Sequence, residues 1–316
     1  MSEHGTMTAG KPNRSAAAKK KKLQQEGPGY QVFSVINNVF MFIVILATLY
    51  PIYFVVVASI SEAGALVRHG SLLLYPVGKI NIYSYKLVFR NPQVISGFRN
   101  TMVVLFGGLA VNMAMTCLGA YILTLKDSMF RKFFSIFILI TMYFSGGMIP
   151  IYLNIRDLKL LDSLWALIIP GAISTYNMLV LRSAFASIPD GLQEAAVLDG
   201  ASHWDILTRV YIPLSGATLA VLVLYYGVAH WNAWFDASIY LSTPTKFPLQ
   251  LILRQILVLN QNNALNASIT TQGELAQYSD QVKYALIVVS TAPILCLYPF
   301  LQRFFTKGVM VGAMKG

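Results

Sequence analysis

Six long stretches of the sequence contain no Asp, Glu, Lys or Arg. Each is rich in Leu, Ile, Val, Phe and Met, and each can cross about 30 Å of hydrocarbon as a helix, which takes roughly 20 residues. They are residues 31–61, 100–125, 133–155, 163–181, 210–235 and 284–302. The sequence therefore predicts an all-α, polytopic integral membrane protein with six transmembrane helices.

The composition supports a membrane protein rather than a large soluble domain. Of the 316 residues, 56% are hydrophobic and 12% are charged, whereas about 25% of the residues in ordinary soluble domains are charged. Cys117 and Cys296 lie in predicted spans, where we expect them to be small packing residues without a disulfide role. The four histidines are scattered and no Cys-x-x-Cys or metalloprotease pattern occurs, so we expect no catalytic residue, metal or cofactor in this chain.

The N-terminal tail, residues 1–30, carries a basic cluster formed by Lys11, Arg14 and the run Lys19–Lys22. We expect this tail to be disordered and cytoplasmic, because Lys and Arg are retained on that side and attract anionic lipid. The same assignment accounts for the net charge of +11 without a nucleic-acid partner. With six spans, both termini of this multi-pass cell-membrane protein are cytoplasmic, although the loops alone carry no inward excess of positive charge.

The segment 187–213, between the fourth and fifth predicted spans, is charged and has the pattern helix, glycine, helix. Ser187 can cap a helix over residues 190–198, with Pro189 in its first turn. Gly200 can adopt the left-handed backbone that ends such a helix. We therefore expect a sharp turn at Gly200, on the cytoplasmic side of the membrane.

A second short helix, 203–210, is predicted after this turn, because Ser202 and Asp205 have the spacing of a capping box. Pro213 then begins the fifth span. Two short helices at a bend form a rigid knob (residues 190–210), whose alanines let a protein partner approach and whose acids can pair with its basic groups. An ordinary capped linker fits the pattern equally well. The residues concerned are Glu194, Ala195, Ala196, Asp199, Gly200, Ala201 and Asp205.

These residues resemble the EAA loop of ABC importer permeases, whose pattern is E-A-A, three residues, G, about nine residues and I-x-L-P. The matching residues are Glu194, Ala195, Ala196, Gly200, Val210, Ile212 and Pro213. Residues 144–150, 230–235 and 307–310 are similar to the carbohydrate-importing branch. Within that branch, the chain resembles the smaller, second permease of maltose and oligosaccharide importers.

The resemblance implies that residues 31–316 form a six-helix permease domain in which the knob is a coupling helix. It also implies a second, similar permease subunit, two cytoplasmic ATPase subunits that bind the ATP, and an extracytoplasmic sugar-binding protein. The cargo that it implies is a sugar, of oligosaccharide size. We expect the outward loops, 62–99 and 237–283, to dock the binding protein, although a solvated cap fits them as well.

A path for the cargo is predicted from polar and aromatic residues within the spans. Tyr226, His230 and Trp234 are spaced i, i+4 and i+8, which places them on one helix face. Asn232 lies on the neighbouring stripe, and Asn177 follows a Pro-Gly break in the fourth span. An aromatic belt at the outer interface explains the tryptophan almost as well as a sugar path does.

Two other classes of protein are open to this sequence. A secondary transporter, driven by ions or protons, would place ionisable groups within its spans, where His230 is the one candidate. A membrane-embedded enzyme would need a convergent acid, base or metal cluster, which the sequence does not offer. Both fit the residues less well than a permease subunit does.

Overall fold

The computed structural model describes residues 28–62, 65–66, 72–125, 131–258 and 281–296. Every regular element within these ranges is helical, which confirms the all-α prediction. Residues 1–27 of the tail and residues 259–280 of the predicted outer loop lie outside the described residues, as does the end of the sixth predicted span. The chain divides into two units, Met1–Phe54 and Val55–Gly316.

The first unit contains most of α1 (Pro28–Ile60), a helix of 33 residues that coincides with the first predicted span. The most apolar window of this helix, within Val32–Ile60, has none of its residues buried. An uncovered helix that is apolar on all sides is stable in lipid or against another membrane helix. This element therefore fits a membrane-spanning role by its composition and its exposure.

The second unit is organised around α3 (Pro92–Thr124), which contains the predicted span 100–125 apart from its last residue and follows the short helix α2 (Tyr83–Arg90). Asn91 caps α3, because its side-chain oxygen accepts the Gln93 N–H at 2.8 Å, and a proline at the first helical position needs no donor. At 1.5 Å per residue, the 33 residues of α3 extend about 50 Å. The two ends of α3 therefore lie on opposite sides of a bilayer that it crosses.

The third predicted span, 133–155, is not one straight helix. It is divided into α4 (Arg131–Tyr143) and α5 (Met148–Asp157), which are bent by 112°. The break falls at residues 144–147, where Gly147 has a φ of 88° that residues with a Cβ rarely adopt. The 112° bend shows that this predicted span is interrupted next to the glycine pair Gly146-Gly147.

The fourth predicted span, 163–181, also has different bounds in the structure. A 3₁₀ turn at Leu164–Leu167 is followed by irregular backbone, and α6 (Thr175–Ala186) begins only after the Pro-Gly break. Ser187 ends this helix instead of capping the next one, since its hydroxyl donates to the Ala184 carbonyl at 2.7 Å. The predicted N-cap role of Ser187 is therefore wrong.

The knob begins with α7 (Asp190–Leu198), which confirms the predicted helix 190–198. The second helix is longer than the predicted 203–210, because α8 (His203–Leu214) continues through Pro213 with a π-helical turn at Leu207–Tyr211. A widened turn accommodates a proline that has no N–H to donate. The chain then bends by 85° into α9 (Gly216–Trp231), so the fifth span does not begin at Pro213.

The predicted outer loop, 237–283, is helical in its first part. It contains most of α10 (Trp234–Tyr240), a 3₁₀ turn at Pro244–Lys246 and α11 (Leu249–Val258). The α11 helix packs on α2, on α3 and on α12 (Gln281–Cys296) through a shared apolar cluster. The prediction of a continuous loop is thus wrong, because an amphipathic helix can bury its apolar face outside the spans as well as within them.

The number of spans is only partly supported by helix length. Among the described helices, the windows Val32–Ile60 and Pro92–Thr124 are long and apolar enough to cross a membrane alone, and the total rises to four if each bent pair is one span. The α12 helix is apolar but shorter, and α6 has 12 residues. Six transmembrane helices therefore stay a prediction.

Candidate functional site

The turn between α7 and α8 has the hydrogen bonds of a Schellman motif. The Ala201 N–H donates to the Ala196 carbonyl at 2.9 Å, and the Gly200 N–H donates to the Val197 carbonyl at 3.0 Å. Gly200 has a φ of 79°, and no heavy atom lies within 4 Å of the position that a Cβ would take. The glycine is therefore required by its left-handed backbone and not by packing, as the sequence predicted.

The start of α8 is fixed by the predicted capping box. The Ser202 hydroxyl accepts the Asp205 N–H at 3.2 Å, and the Asp205 carboxylate accepts the Ser202 N–H at 3.3 Å. Arg209 lies 3.2 Å from the same carboxylate. The hydrogen bond with the Ser202 hydroxyl and, to a smaller extent, the positive charge of Arg209 hold the pKa of Asp205 below its ordinary value. Asp205 was also predicted to pair with a partner, but its carboxylate is engaged within the knob, whereas the other two predicted acids, Glu194 and Asp199, are exposed.

The alanines of the knob do not all face outward. Ala195 is exposed, but Ala196 and Ala201 are half-buried against the apolar cluster between the knob and the spans. The outer surface instead carries Leu198, which is 88% exposed, and Trp204, which is 63% exposed. Large exposed apolar side chains, a tryptophan among them, are typical of a protein-docking surface.

An aromatic junction, formed by Tyr121 of α3, Phe185 of α6 and Tyr211 of α8, connects the knob to the long helices. The Tyr211 ring centroid lies 5.3 Å from that of Tyr121 and 5.2 Å from that of Phe185, both edge-on. The Tyr211 hydroxyl donates to Gln193 of α7 at 2.6 Å, and the Tyr121 hydroxyl lies 3.0 Å from His203 Nδ1. Both helices of the knob are thereby joined to α3, so a displacement of the knob must move or strain this junction.

A second feature, the intramembrane polar cluster, lies about midway along α3 and consists of Asn112, Thr116, Ser174, Tyr226 and His230. Asn112 Oδ1 lies 2.7 Å from His230 Nε2, and the Asn112 amide group donates to the Gly171 carbonyl at 2.6 Å. Polar groups inside a bilayer are stable when they pair with one another or with freed backbone. The Asn112 amide group provides such a partner for the Gly171 carbonyl, which the Pro-Gly break leaves without a helical hydrogen bond.

Tyr226 completes the intramembrane polar cluster on the α9 side. It is 5% exposed, its hydroxyl lies 2.8 Å from the Thr116 hydroxyl, and it accepts the Ser174 N–H at 3.1 Å. The backbone N–H of Asn177, itself buried, donates to the Ser174 hydroxyl. These contacts join α3, α6 and α9 around the break before α6.

The residues predicted to form one path do not share one face. The α9 helix ends at Trp231, and Trp234 begins α10 in a new direction. Trp234 is half-buried and packs under the Arg254 guanidinium, 3.6 Å from its ring centroid. Asn232 is exposed, and its amide group donates to the Val228 carbonyl of its own helix. Helical spacing past residue 231 was therefore misleading, because the chain turns there.

Some residues of these sites were missed by the sequence analysis. Asn112 is the clearest case, since an amide within an otherwise apolar span usually faces the protein interior, and this signal was available. Tyr121 and Tyr211 gave no such signal, because a tyrosine at a helix end is equally typical of the interface. Within the described residues, no group of three His, Cys, Asp or Glu side chains could hold a metal ion.

The geometry described so far is that of a membrane protein with a stiff, exposed element joined to its spans. Residues 124–311 match the family described as "Binding-protein-dependent transport system inner membrane component". This range contains the knob and most of the spans, and the chain belongs to this family of membrane permeases.

Individual relatives match nearly the whole chain. "Protein LplC" of Bacillus subtilis (strain 168) is 34% identical over 286 residues, which are 90% of this chain and 96% of that one. The "Polygalacturonan/rhamnogalacturonan transport system permease protein YtcP" of the same strain is 33% identical, with 90% and 99% coverage. Among solved structures, a chain of a bacterial ABC transporter involved in the import of the acidic polysaccharide alginate has a TM-score of 0.81 and 32% identity, with 88% and 98% coverage.

Proposed function

We propose that this chain is one permease subunit of an ABC importer that carries a carbohydrate, of oligosaccharide size, across the cytoplasmic membrane. The carbohydrate cargo is supported by relatives whose names specify polygalacturonan and rhamnogalacturonan or the polysaccharide alginate. The chain would bind no nucleotide, and two partner ATPases would supply the free energy. The observation that carries the proposal is the exposed knob, which is closed by the Gly200 turn and bonded to α3.

The knob has the properties that a coupling helix needs. Its short helices are capped at Ser202 and closed at Gly200, so it transmits a displacement with little internal deformation. Leu198 and Trp204 offer apolar contact to a groove, and Glu194 and Asp199 offer charge to basic residues on its rim. The aromatic junction then passes the displacement to α3 when two ATPases close on ATP.

The remaining partners follow from this role. A second permease subunit would complete the central path, because the described part of this chain leaves many apolar side chains exposed. An extracytoplasmic sugar-binding protein would deliver the cargo on the side opposite to the knob. Both termini would then be cytoplasmic, in agreement with the basic tail.

The docking of the knob can be tested by site-specific photocrosslinking in cells that express the complete transporter. We expect p-benzoylphenylalanine at Leu198 to capture an ATPase subunit, identified by mass spectrometry, because this side chain is 88% exposed at the tip of α7. The same group at Phe106, 66% exposed on α3, provides the control and should not capture it. Failure of the Leu198 position to reach any ATPase in an assembled, active transporter would contradict the coupling role.

A further inference from the structure

A cavity of about 940 Å³ opens beside α3 at the end that is remote from the knob. Its size is at the upper end of the range of about 300–1,000 Å³ that is typical of ligand sites. We propose, on the basis of the importer function above, that this cavity binds a saccharide carrying carboxylate groups. Arg99 would bind a carboxylate, and Trp165 would contact the apolar face of a sugar ring.

The charge of the cavity favours an anion. Three charged residues line it, namely Arg99, Asp162 and Lys246. Lys246 Nζ lies 2.9 Å from Asp162 Oδ2 and also donates to the Asp162 carbonyl, so these two charges neutralise each other. Arg99 is exposed, and no described residue forms an ion pair with it. Among the described residues, the Arg99 guanidinium is therefore the one charge that lines the cavity without a counter-charge, and guanidinium groups bind carboxylates through two parallel hydrogen bonds.

The Asp162 carboxylate is committed to its own contacts and does not compete for Arg99. Besides Lys246, it accepts hydrogen bonds from the Thr243 hydroxyl at 2.6 Å and from the Thr243 N–H at 2.9 Å. The hydrogen bond from the Thr243 hydroxyl and, next in size, the hydrogen bond from Lys246 keep the pKa of Asp162 well below its ordinary value. The carboxylate thus stays ionised and paired near neutral pH.

The wall of the cavity is fixed before any ligand arrives. The Asn100 amide group donates to the carbonyls of Thr245 and Phe247, at 2.8 and 3.2 Å, which holds this segment on α3. The Leu249 N–H donates to the Thr101 hydroxyl at 3.0 Å. A preformed wall lowers the entropic cost of binding.

Trp165 supplies the second element of recognition. It is 54% exposed on the 3₁₀ turn and lines the same cavity as Arg99. An indole ring offers a flat apolar surface with a polar edge, which suits a pyranose that has an apolar face and a rim of hydroxyls. Trp165 and Arg99 together therefore distinguish a charged saccharide from an inorganic anion, which needs no apolar surface.

The position of the cavity agrees with the direction of transport. Arg99 and Tyr121 both lie on α3 and are separated by about 33 Å at 1.5 Å per residue. Tyr121 contacts the knob, so Arg99 lies near the opposite membrane face. In the importer described above, that is the face on which the cargo arrives.

The test is a binding measurement on the full chain with its co-purifying subunits, without the sugar-binding protein, in nanodiscs of phosphatidylcholine. The probes are radiolabelled trigalacturonate and its fully methyl-esterified form, which has the same rings without the charges. We expect the complex to bind the acid about tenfold or more tightly than the ester, as for a paired carboxylate. Arg99→Gln should abolish this preference, and Trp165→Ala should lower the affinity for both probes.

The matched control is Arg90→Gln, because Arg90 is exposed on the neighbouring helix α2 and does not line the cavity. It should keep the preference for the acid. The assignment is overturned if the complex does not distinguish acid from ester, or if Arg99→Gln retains the distinction. It is also overturned if phosphatidylglycerol, and not the saccharide, binds in a way that depends on Arg99.

Uptake into proteoliposomes that contain the complete transporter separates this inference from the proposed function. Binding that depends on Arg99, without any ATP-driven uptake, would contradict the importer function alone. If the transporter takes up both probes in an ATP-driven manner and Arg99→Gln changes neither rate of uptake, the cavity assignment alone would be contradicted.

Discussion

At the scale of single residues, the contact between Gly108 and His230 shows how a side chain can depend on a glycine in a neighbouring helix. A Cβ at residue 108 would overlap the imidazole ring of His230. That ring cannot move away freely, because its Nε2 bonds to Asn112. Because residue 108 of α3 has no side chain, the His230 ring can lie close to α3 and form the hydrogen bond with Asn112 that joins α3 to α9.

We predict that Gly108→Ala destabilises the protein by about 1–3 kcal/mol, as for other overpacked interiors. The ring of His230 must turn, and it then loses its bond to Asn112. The measurement is the thermal unfolding midpoint of the detergent-purified chain, compared with that of Gly227→Ala. At Gly227 the nearest atom to an added Cβ is Leu105 Cδ1 at 3.8 Å, an ordinary contact. Equal midpoints for the two variants would refute the close approach.

Sequence patterns identified some residue roles and missed others, for local reasons. The capping role of Asp205 depends only on residues within one turn, and spacing was sufficient to predict it. The role of Asn112 depends on carbonyls about 60 positions further along the chain, which no local pattern brings together. Arg99 and Trp165 were missed for the same reason, because their shared cavity is formed by three separate segments.

At the scale of secondary-structure elements, the Gly200 turn sets the angle between α7 and α8. We predict that Gly200→Leu leaves the chain inserted in the membrane but reduces ATP-driven uptake, while the partner ATPases still hydrolyse ATP. A left-handed residue with a Cβ costs about 1–2 kcal/mol, which favours another turn geometry. Uptake and ATP hydrolysis, measured together in proteoliposomes, report the loss of coupling.

Gly191→Leu is the matched control, because Gly191 also has no heavy atom within 4 Å of its Cβ position and has no left-handed backbone. It adds the same side chain to the same knob and should retain most of the uptake. Normal coupling in a well-expressed Gly200→Leu protein would contradict the coupling role of this turn.

The breaks between elements were easier to predict than their angles. The Gly146-Gly147 and Pro170-Gly171 pairs both lie in non-helical backbone between two helical elements, since these residues disrupt helical geometry locally. The 112° and 85° bends depend on what each helix packs against beyond the break. Periodicity across residues 226–234 failed for a related reason, because α9 ends before Trp234.

At the scale of the whole molecule, the knob and the cavity lined by Arg99 and Trp165 lie at opposite ends of α3. We predict that Leu198→Cys is labelled by a membrane-impermeant maleimide only in inverted vesicles, and Lys86→Cys only in right-side-out vesicles. Both side chains are exposed, and Lys86 lies on α2, beside the start of α3. The experiment uses a Cys117→Ala, Cys296→Ala background.

A membrane-permeant maleimide should label both positions in either type of vesicle, which shows that each cysteine is reactive. Labelling of Leu198→Cys from the cell exterior would place the knob on the wrong side for an ATPase. The predicted orientation, which depends on the basic tail, would then be wrong.

The sequence by itself determined that this is an all-α membrane protein, because apolar length is a local property of the chain, and the resemblance of the knob residues to the EAA loop indicated a permease. The same holds for the Gly200 turn and the Ser202–Asp205 capping box. The tertiary structure decided which helices bend, which residues meet in the intramembrane polar cluster and where a cavity opens. These features depend on contacts between residues far apart in the chain, whose geometry is set by packing and not by sequence spacing.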